Sequence, residues 1–331
     1  MFIVDSLPLA IFFCLITMLG WGSWANTQKL AGKDRWDFPL FYWDYAIGVT
    51  LFSVILLFTA GSLGNAGMSA IANLRQAAPG PVGHALFSGV VFNLSNILLV
   101  VAISRAGMAV AFPVGVGLAL VIGTIASYVQ SPRGNATLLA GGVLLVVAAM
   151  LLSALAYSRL PRPKGEGWGK GVLFAVVAGC LMGFFYPELS RAISPGFRTG
   201  QIDGGTLTPY TALGFFAVGL LSSNLIVNTI FLTTAGLGYR DYFRGSARLH
   251  SLGVLGGIIW MLALSLNILA SGVAGPAVSY ALGQGATLVA AIWGVFIWKE
   301  FRDAPAGTGT VLGCMFSAYA GGLLLIGAAT L

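Results

Sequence analysis

Ten apolar runs, each long enough to cross a bilayer and each closed by a short polar or Pro/Gly stretch, account for most of the chain. They lie at roughly 7–28, 40–61, 83–104, 108–129, 137–157, 170–192, 210–234, 251–271, 275–298 and 308–329. About 20 apolar residues wound as a helix cover the ~30 Å of a hydrocarbon core. In hydrocarbon every backbone N–H and C=O must be satisfied internally, which leaves helices or a closed barrel. Barrel strands are half as long and alternate polar with apolar; these runs do neither. Of the 331 residues, 57% are hydrophobic and 8% charged, whereas a soluble domain carries about a quarter charged. The reading is an all-α integral membrane protein with ten transmembrane helices. Its 46 glycines predict close helix–helix approach.

Charge sets orientation. The loops after runs one, three, five, seven and nine hold Lys29, Lys33, Arg35, Arg105, Arg159, Arg162, Lys164, Lys170, Arg240, Arg244, Arg248, Lys299 and Arg302. The opposite side holds Arg75, Arg133, Arg191 and Arg198, so the count is thirteen against four. The first side is therefore predicted to be cytoplasmic, with both termini outside, in a bacterial inner membrane. The net charge of +7 belongs to these loops and to anionic lipid, not to nucleic acid. Asp5 and the lack of a basic leader predict that the first run is retained as a helix. Cys14, Cys180 and Cys314 sit inside apolar runs without C-x-x-C spacing, which predicts packing rather than a disulfide or metal site. No metal-binding, nucleophile-elbow or phosphate-loop motif is present, so no enzyme, cofactor or ATP-driven pump is expected.

Ten runs divide into five and five, and transporters are often built from such repeats. Trp21–Ala31 aligns with Met182–Ala192, each a glycine, an aromatic cluster, a polar or proline disturbance and a basic end. Ala106-Gly107-Met108-Ala109 stands opposite Ser271-Gly272-Val273-Ala274. The expected organisation is a first repeat at 1–158, a short cytoplasmic linker at 159–169 and a second, inverted repeat at 170–331.

Ionisable groups inside a membrane are costly and are functional candidates by default. Asp44, in Tyr42-Trp43-Asp44-Tyr45, and Glu188, after Pro187, are the two carboxylates here. Each is read either as an interfacial acid bonded to a tyrosine or basic residue, or as a proton carrier. Embedded amides need another helix or a wet cavity. Asn26, Gln28, Asn93, Asn96, Asn224, Asn228, Asn267, Gln284 and Thr287 form this group. Trp21, Trp24, Tyr42, Tyr45, Tyr186, Trp260, Tyr280 and Trp293 could stack on a sugar or a flat heterocycle, and Trp21, Trp24 and Trp260 lie furthest inside. Trp36, Trp43, Trp168 and Trp298 are expected in the interfacial belt. His84 and His250, the two histidines, fall at run edges.

Met1–Ser6, Gly22-Ser23-Trp24, Tyr42–Ile47, Asn93-Leu94-Ser95, Trp293–Phe296 and Lys299–Arg302 resemble the ureide permeases and their bacterial relatives. That family sits with glucose/ribose uptake proteins and the rhamnose–proton symporter in the drug/metabolite transporter superfamily. The resemblance implies ten helices in two inverted five-helix repeats. It also implies proton-coupled uptake of allantoin-type ureides, nucleobases or sugars. It supports Trp24, Asp44, Asn93 and a Glu300 cap. The long central loop of the plant proteins is missing.

The expected function is import of a small neutral polar solute by proton symport, with sodium open as the coupling ion. Trp21, Trp24, Asn26, Gln28, Tyr45, Asn93, Asn96, Tyr186, Asn224, Trp260 and Gln284 are the expected solute contacts, and Asp44 and Glu188 the proton carriers. A drug/metabolite exporter and a non-transporting receptor are the alternatives. The solute and oligomeric state are left open.

Overall fold

The computed structural model of the chain describes residues 1–32, 36–64, 66–160 and 168–331. Most of the expected linker at 159–169, together with Lys33, Arg35, Arg162 and Lys164, lies outside the described residues. In chain order the helices are α1 (Leu7–Ser23), α2 (Ala25–Gly32), α3 (Phe38–Phe58), α4 (Ala70–Gln76) and α5 (Pro79–Ala106). Then come α6 (Met108–Gln130), α7 (Ala136–Ser158), α8 (Trp168–Ala192), α9 (Pro209–Thr234) and α10 (Tyr239–Phe243). The last are α11 (Ala247–Ala274), α12 (Pro276–Gly283), α13 (Ala286–Ile292) and α14 (Thr308–Ala328). α1 with α2 makes one span of 26 residues, and α12 and α13 run on through a π-helical turn (Trp293–Ile297) as one span of 22 residues. The described residues thus hold ten helices long and apolar enough to cross a membrane. The outside is greasy as hydrocarbon demands, with Leu144 at 69% and Leu324 at 74% exposure.

The chain divides into two compact units. Unit 1 comprises Met1–Asn93 and Glu188–Val273, and unit 2 comprises Leu94–Pro187 and Ala274–Leu331. Each unit therefore takes residues from both halves of the sequence.

Glycine sets the packing in unit 1. A Cβ on Gly48 would strike the Val254 carbonyl, and one on Gly257 would strike that of Tyr45, so α3 and α11 cross backbone to backbone. Gly89 and Gly219 stand in the same reciprocal relation to the carbonyls of Phe216 and Leu86, where α5 crosses α9. Gly20 sits against Ala263 of α11, its added Cβ only 2.8 Å from the alanine methyl. Small residues allow this approach, and packing at such distances replaces the hydrophobic effect as the source of helix association in lipid. In unit 2, α7 and α14 meet through Gly142 and Gly322, each of which would collide with the other's carbonyl at 2.7–2.9 Å.

α5 and α11 are both 28 residues long, and both end at a glycine with positive φ: Gly107 at 77° and Gly275 at 86°. L-residues avoid that region, so a glycine lets each helix stop and the next begin at once. The second break falls later than the Ser271–Ala274 alignment expected. Gly272 stays inside α11, where an added Cβ would come within 2.7 Å of the Phe197 ring.

Candidate functional site

Trp260 on α11 is the hub of an aromatic cluster in unit 1. Phe92 of α5 lies 4.2 Å from it, Phe216 of α9 5.9 Å, Trp21 of α1 6.1 Å and Tyr45 of α3 6.3 Å, between ring centroids. Trp24 closes on Tyr45 at 4.9 Å. The glycine crossings bring α3, α5 and α9 in, and Gly20 brings Trp21 over Trp260. Trp24 itself marks the break between α1 and α2, where the Thr27 N–H reaches back only three residues, to the Trp24 carbonyl at 3.0 Å.

Polar atoms at this cluster are left over. Trp21 Nε1, the Tyr45 hydroxyl, Asn93 Oδ1 and both amide atoms of Asn224 are buried and find no hydrogen-bond partner among the described residues. Tyr45, Asn93 and Asn224 are 0% exposed. Asn93 Nδ2 donates to Ser223 Oγ at 3.0 Å, tying α5 to α9 beside Asn224. One turn along, Asn228 Nδ2 donates to the Pro39 carbonyl at 2.9 Å. At the other end of this pair of helices Gly61, just past α3, packs on Tyr210, so α3 and α9 run antiparallel. Asn224 thus stands about one turn further along α3, at the level of Tyr42 and Trp43. A buried polar group without a partner costs about 1–3 kcal/mol, and natural proteins keep few of them. The set offers N–H and O–H donors and amide C=O acceptors beside stacked rings, which suits a flat molecule with a polar edge.

Asp44 is the second centre. Its carboxylate is 3% exposed and accepts from the Tyr242 hydroxyl at 2.7 Å and from His250 Nδ1 at 2.9 and 3.0 Å. An ionised carboxylate only accepts, so His250 donates to it from Nδ1. Gly253 of α11 makes the approach possible, since a Cβ there would strike Asp44. α10 delivers Tyr242 and is pinned by Tyr239, whose hydroxyl lies 2.6 Å from Thr229 Oγ1. Trp36 packs edge-on against His250 at 5.2 Å and Trp43 against Tyr239 at 5.8 Å. These two tryptophans, expected in the interfacial belt, are buried, at 5% and 7% exposure, because the 239–250 segment folds over them. Burial first, then the hydrogen bond and negative charge of Asp44, hold the Tyr242 phenol well above its usual pKa.

Glu188 is built alike. His84 Nδ1 lies 2.8 Å from Oε2, and Arg191, one turn on, donates to Oε1 at 2.7 Å. Both membrane carboxylates are thus hydrogen-bonded to a histidine. The sequence had marked the acids and passed over the histidines.

Other expected contacts fall elsewhere. Asn26 Nδ2 donates to the nearby Ser23 carbonyl at 2.9 Å, and Gln28 is half-buried on α2. Asn96, Tyr186 and Gln284 lie in unit 2, where the Tyr186 ring packs tilted against Tyr280 at 4.9 Å. Glu300, also in unit 2, accepts from the Tyr157 hydroxyl at 2.7 Å. Phe92, Phe216 and Tyr242 were not anticipated.

Comparison with known proteins agrees in kind. A family model described as Ureide permease matches residues 168–329. Ureide permease 2 of Arabidopsis thaliana is 24% identical over 96% of this chain and 96% of its own. Ureide permease 1 of the same plant is 24% identical over 94% of each. One solved crystal structure superposes with a TM-score of 0.60 at 18% identity, covering 96% of this chain and 95% of that one, a likeness of fold alone. The chain is a ureide permease-like, multi-pass membrane protein.

Proposed function

We propose that this ureide permease-like chain is a secondary active transporter importing a small neutral polar solute of the ureide or nucleobase type by proton symport. The observation that carries the reading is the Trp260 cluster with its unpartnered polar atoms. A ureide is flat and presents N–H donors and C=O acceptors in one plane. Its faces stack on the indoles, while its edge can pair with the Asn224 amide, Asn93 Oδ1, the Tyr45 hydroxyl and Trp21 N–H. A sugar shares the stacking but not the in-plane amide pairing. Trp24 closes one side in this reading. Asn26, Gln28, Asn96, Tyr186 and Gln284 are further proposed solute contacts on residue type alone.

Asp44 is the proton carrier. Its three hydrogen bonds are rearranged if it or His250 changes protonation, and the α3–α11 crossing links it to Tyr45 and Trp260. Glu188 is the second acid. Two inverted repeats, at 1–158 and 170–331, are supported by the matched 28-residue helices with their glycine breaks and by the paired glycine crossings. Alternating access follows from exchange between two such arrangements. The basic loops support an inner-membrane orientation with both termini outside. Export of a lipophilic cation needs an uncommitted acid, whereas Asp44 and Glu188 are each engaged.

The test is uptake of labelled allantoin into proteoliposomes under an inward proton gradient. Wild-type protein should accumulate it, and Asp44→Asn should lose accumulation while retaining part of the exchange. Accumulation by that variant at the wild-type level refutes the proton assignment. Absence of allantoin, uracil and nucleoside flux through the wild type refutes transport of this solute class.

A further inference from the structure

We propose that His84, held by Glu188 and Arg191, is a second proton-binding site on the membrane face opposite Asp44. The proposal rests on the transporter reading above. Successive spans run in opposite directions, so the start of α3, with Asp44, and the start of α11, with His250, lie on one face. By the same parity the start of α5, with His84, and the end of α8, with Glu188, lie on the other. Unit 1 therefore carries one histidine–carboxylate pair at each face.

The two pairs differ in a way that suits different jobs. The Asp44 carboxylate is sealed at 3% exposure and its histidine lies at 28%, with Nε2 facing Gly245 and Trp36. Glu188 is 15% exposed and the His84 ring 44%. Because Glu188 accepts, His84 donates from Nδ1, and Nε2 is the nitrogen of the half-exposed ring open to a second proton. A proton from bulk water that binds Nε2 gives an imidazolium, and its return to water restores the neutral ring. Among the described residues the further charged group bonded to this pair is Arg191, from α8 like Glu188. When His84 is neutral, Arg191 is the one cation on Glu188 among the described residues. When it is protonated, two cations share one carboxylate, and the hold of Arg191 on the end of α8 is weakened.

The signal has a route inward. His84 lies nine residues before Asn93 on α5, and His250 lies ten before Trp260 on α11, a distance of roughly 14 Å along either helix. Each helix thus joins a protonatable pair at one face to a side chain of the solute cluster.

The experiment uses full-length protein in proteoliposomes of one orientation. The lumen is held at about pH 7.5 and the His84 side is varied from about 5.5 to 7.5. Allantoin uptake by the wild type should rise as that side is acidified, by up to about tenfold per pH unit, the limit for one proton. His84→Gln should lose the dependence while allantoin exchange at equal pH stays close to wild type. Glu188→Gln, which removes the acceptor for His84 Nδ1, should lose the dependence as well. A His84→Gln protein that keeps the wild-type pH profile overturns the proposal. So does one that loses equal-pH exchange as well, because the histidine is then merely structural. A wild type with no allantoin flux refutes the transporter reading and this inference with it.

Discussion

Asn224 and Asn228 lie on one face of α9, one turn apart, yet replacing each by leucine should have different consequences. Leucine branches at Cγ as asparagine does, so the change mostly swaps polarity for apolar surface. At Asn224 it removes two buried groups that have no partner among the described residues. At the lower end of about 1–3 kcal/mol per orphaned group, the fold gains ~2 kcal/mol. That raises the unfolding temperature by on the order of 4 °C in a chain of this size. The same change deletes two hydrogen bonds to the solute, each of about 1 kcal/mol, so binding weakens about 30-fold. At Asn228 one made bond, to the Pro39 carbonyl at 2.9 Å, is lost together with one orphan, Oδ1. The two roughly cancel, and neither stability nor binding should move much. Thermal unfolding of the purified variants with and without allantoin measures both effects. An Asn224→Leu protein that melts below wild type and keeps its ligand-induced shift refutes the assignment of Asn224 to the solute.

Two further changes probe the supports of the site. Gly257→Ala puts a Cβ onto the Tyr45 carbonyl and 2.8 Å from the Val49 nitrogen, so it should cost about 3 kcal/mol and abolish allantoin binding. Gly313→Ala, with nothing within 4 Å, should instead stabilise by about 1 kcal/mol; equal melting temperatures for the two would contradict the crossing. Tyr242→Phe removes the 2.7 Å bond to Asp44 and should destabilise by about 1.5–3 kcal/mol. The folded state raises the Tyr242 pKa, so its contribution is complete below the unfolded value of about 10 and fades as pH rises through the folded value. The wild type should therefore lose more stability than Tyr242→Phe on going to strongly alkaline pH, and identical alkaline melting curves would refute this.

The ten spans were legible because hydrocarbon allows the backbone so few solutions; length and apolarity suffice to find them. Asp44, Glu188 and the deep aromatics were legible for a related reason, since lipid makes their presence expensive. Their partners were not. His250 is 206 residues from Asp44, and His84 is 104 from Glu188, so no local pattern joins them. A signal did exist in the topology, where span parity puts each histidine on the same face as one acid. Trp36 and Trp43 misled because belt residues and buried residues look alike in sequence. Only the fold of the 239–250 segment over them tells the two apart. At Asn26 the helix break itself brings the Ser23 carbonyl within reach of the amide N–H, a local bond that residue type alone does not announce. Phe92 and Phe216 were invisible because a phenylalanine in an apolar run carries no mark of what it touches.

The glycine crossings make their helices levers. A contact of backbone on backbone has no side chains to bend, so rotation about it is passed on rather than absorbed. Gly89, the fulcrum of α5, lies five residues past His84 and four before Asn93, arms of about 7.5 and 6 Å. A tilt that carries the His84 end one way swings Asn93 the other way by nearly the same amount. On α11 the arms are unequal, about 10.5 Å from His250 to Gly257 and 4.5 Å on to Trp260. That helix gears motion down, trading travel at the histidine for a small, firm displacement of the indole.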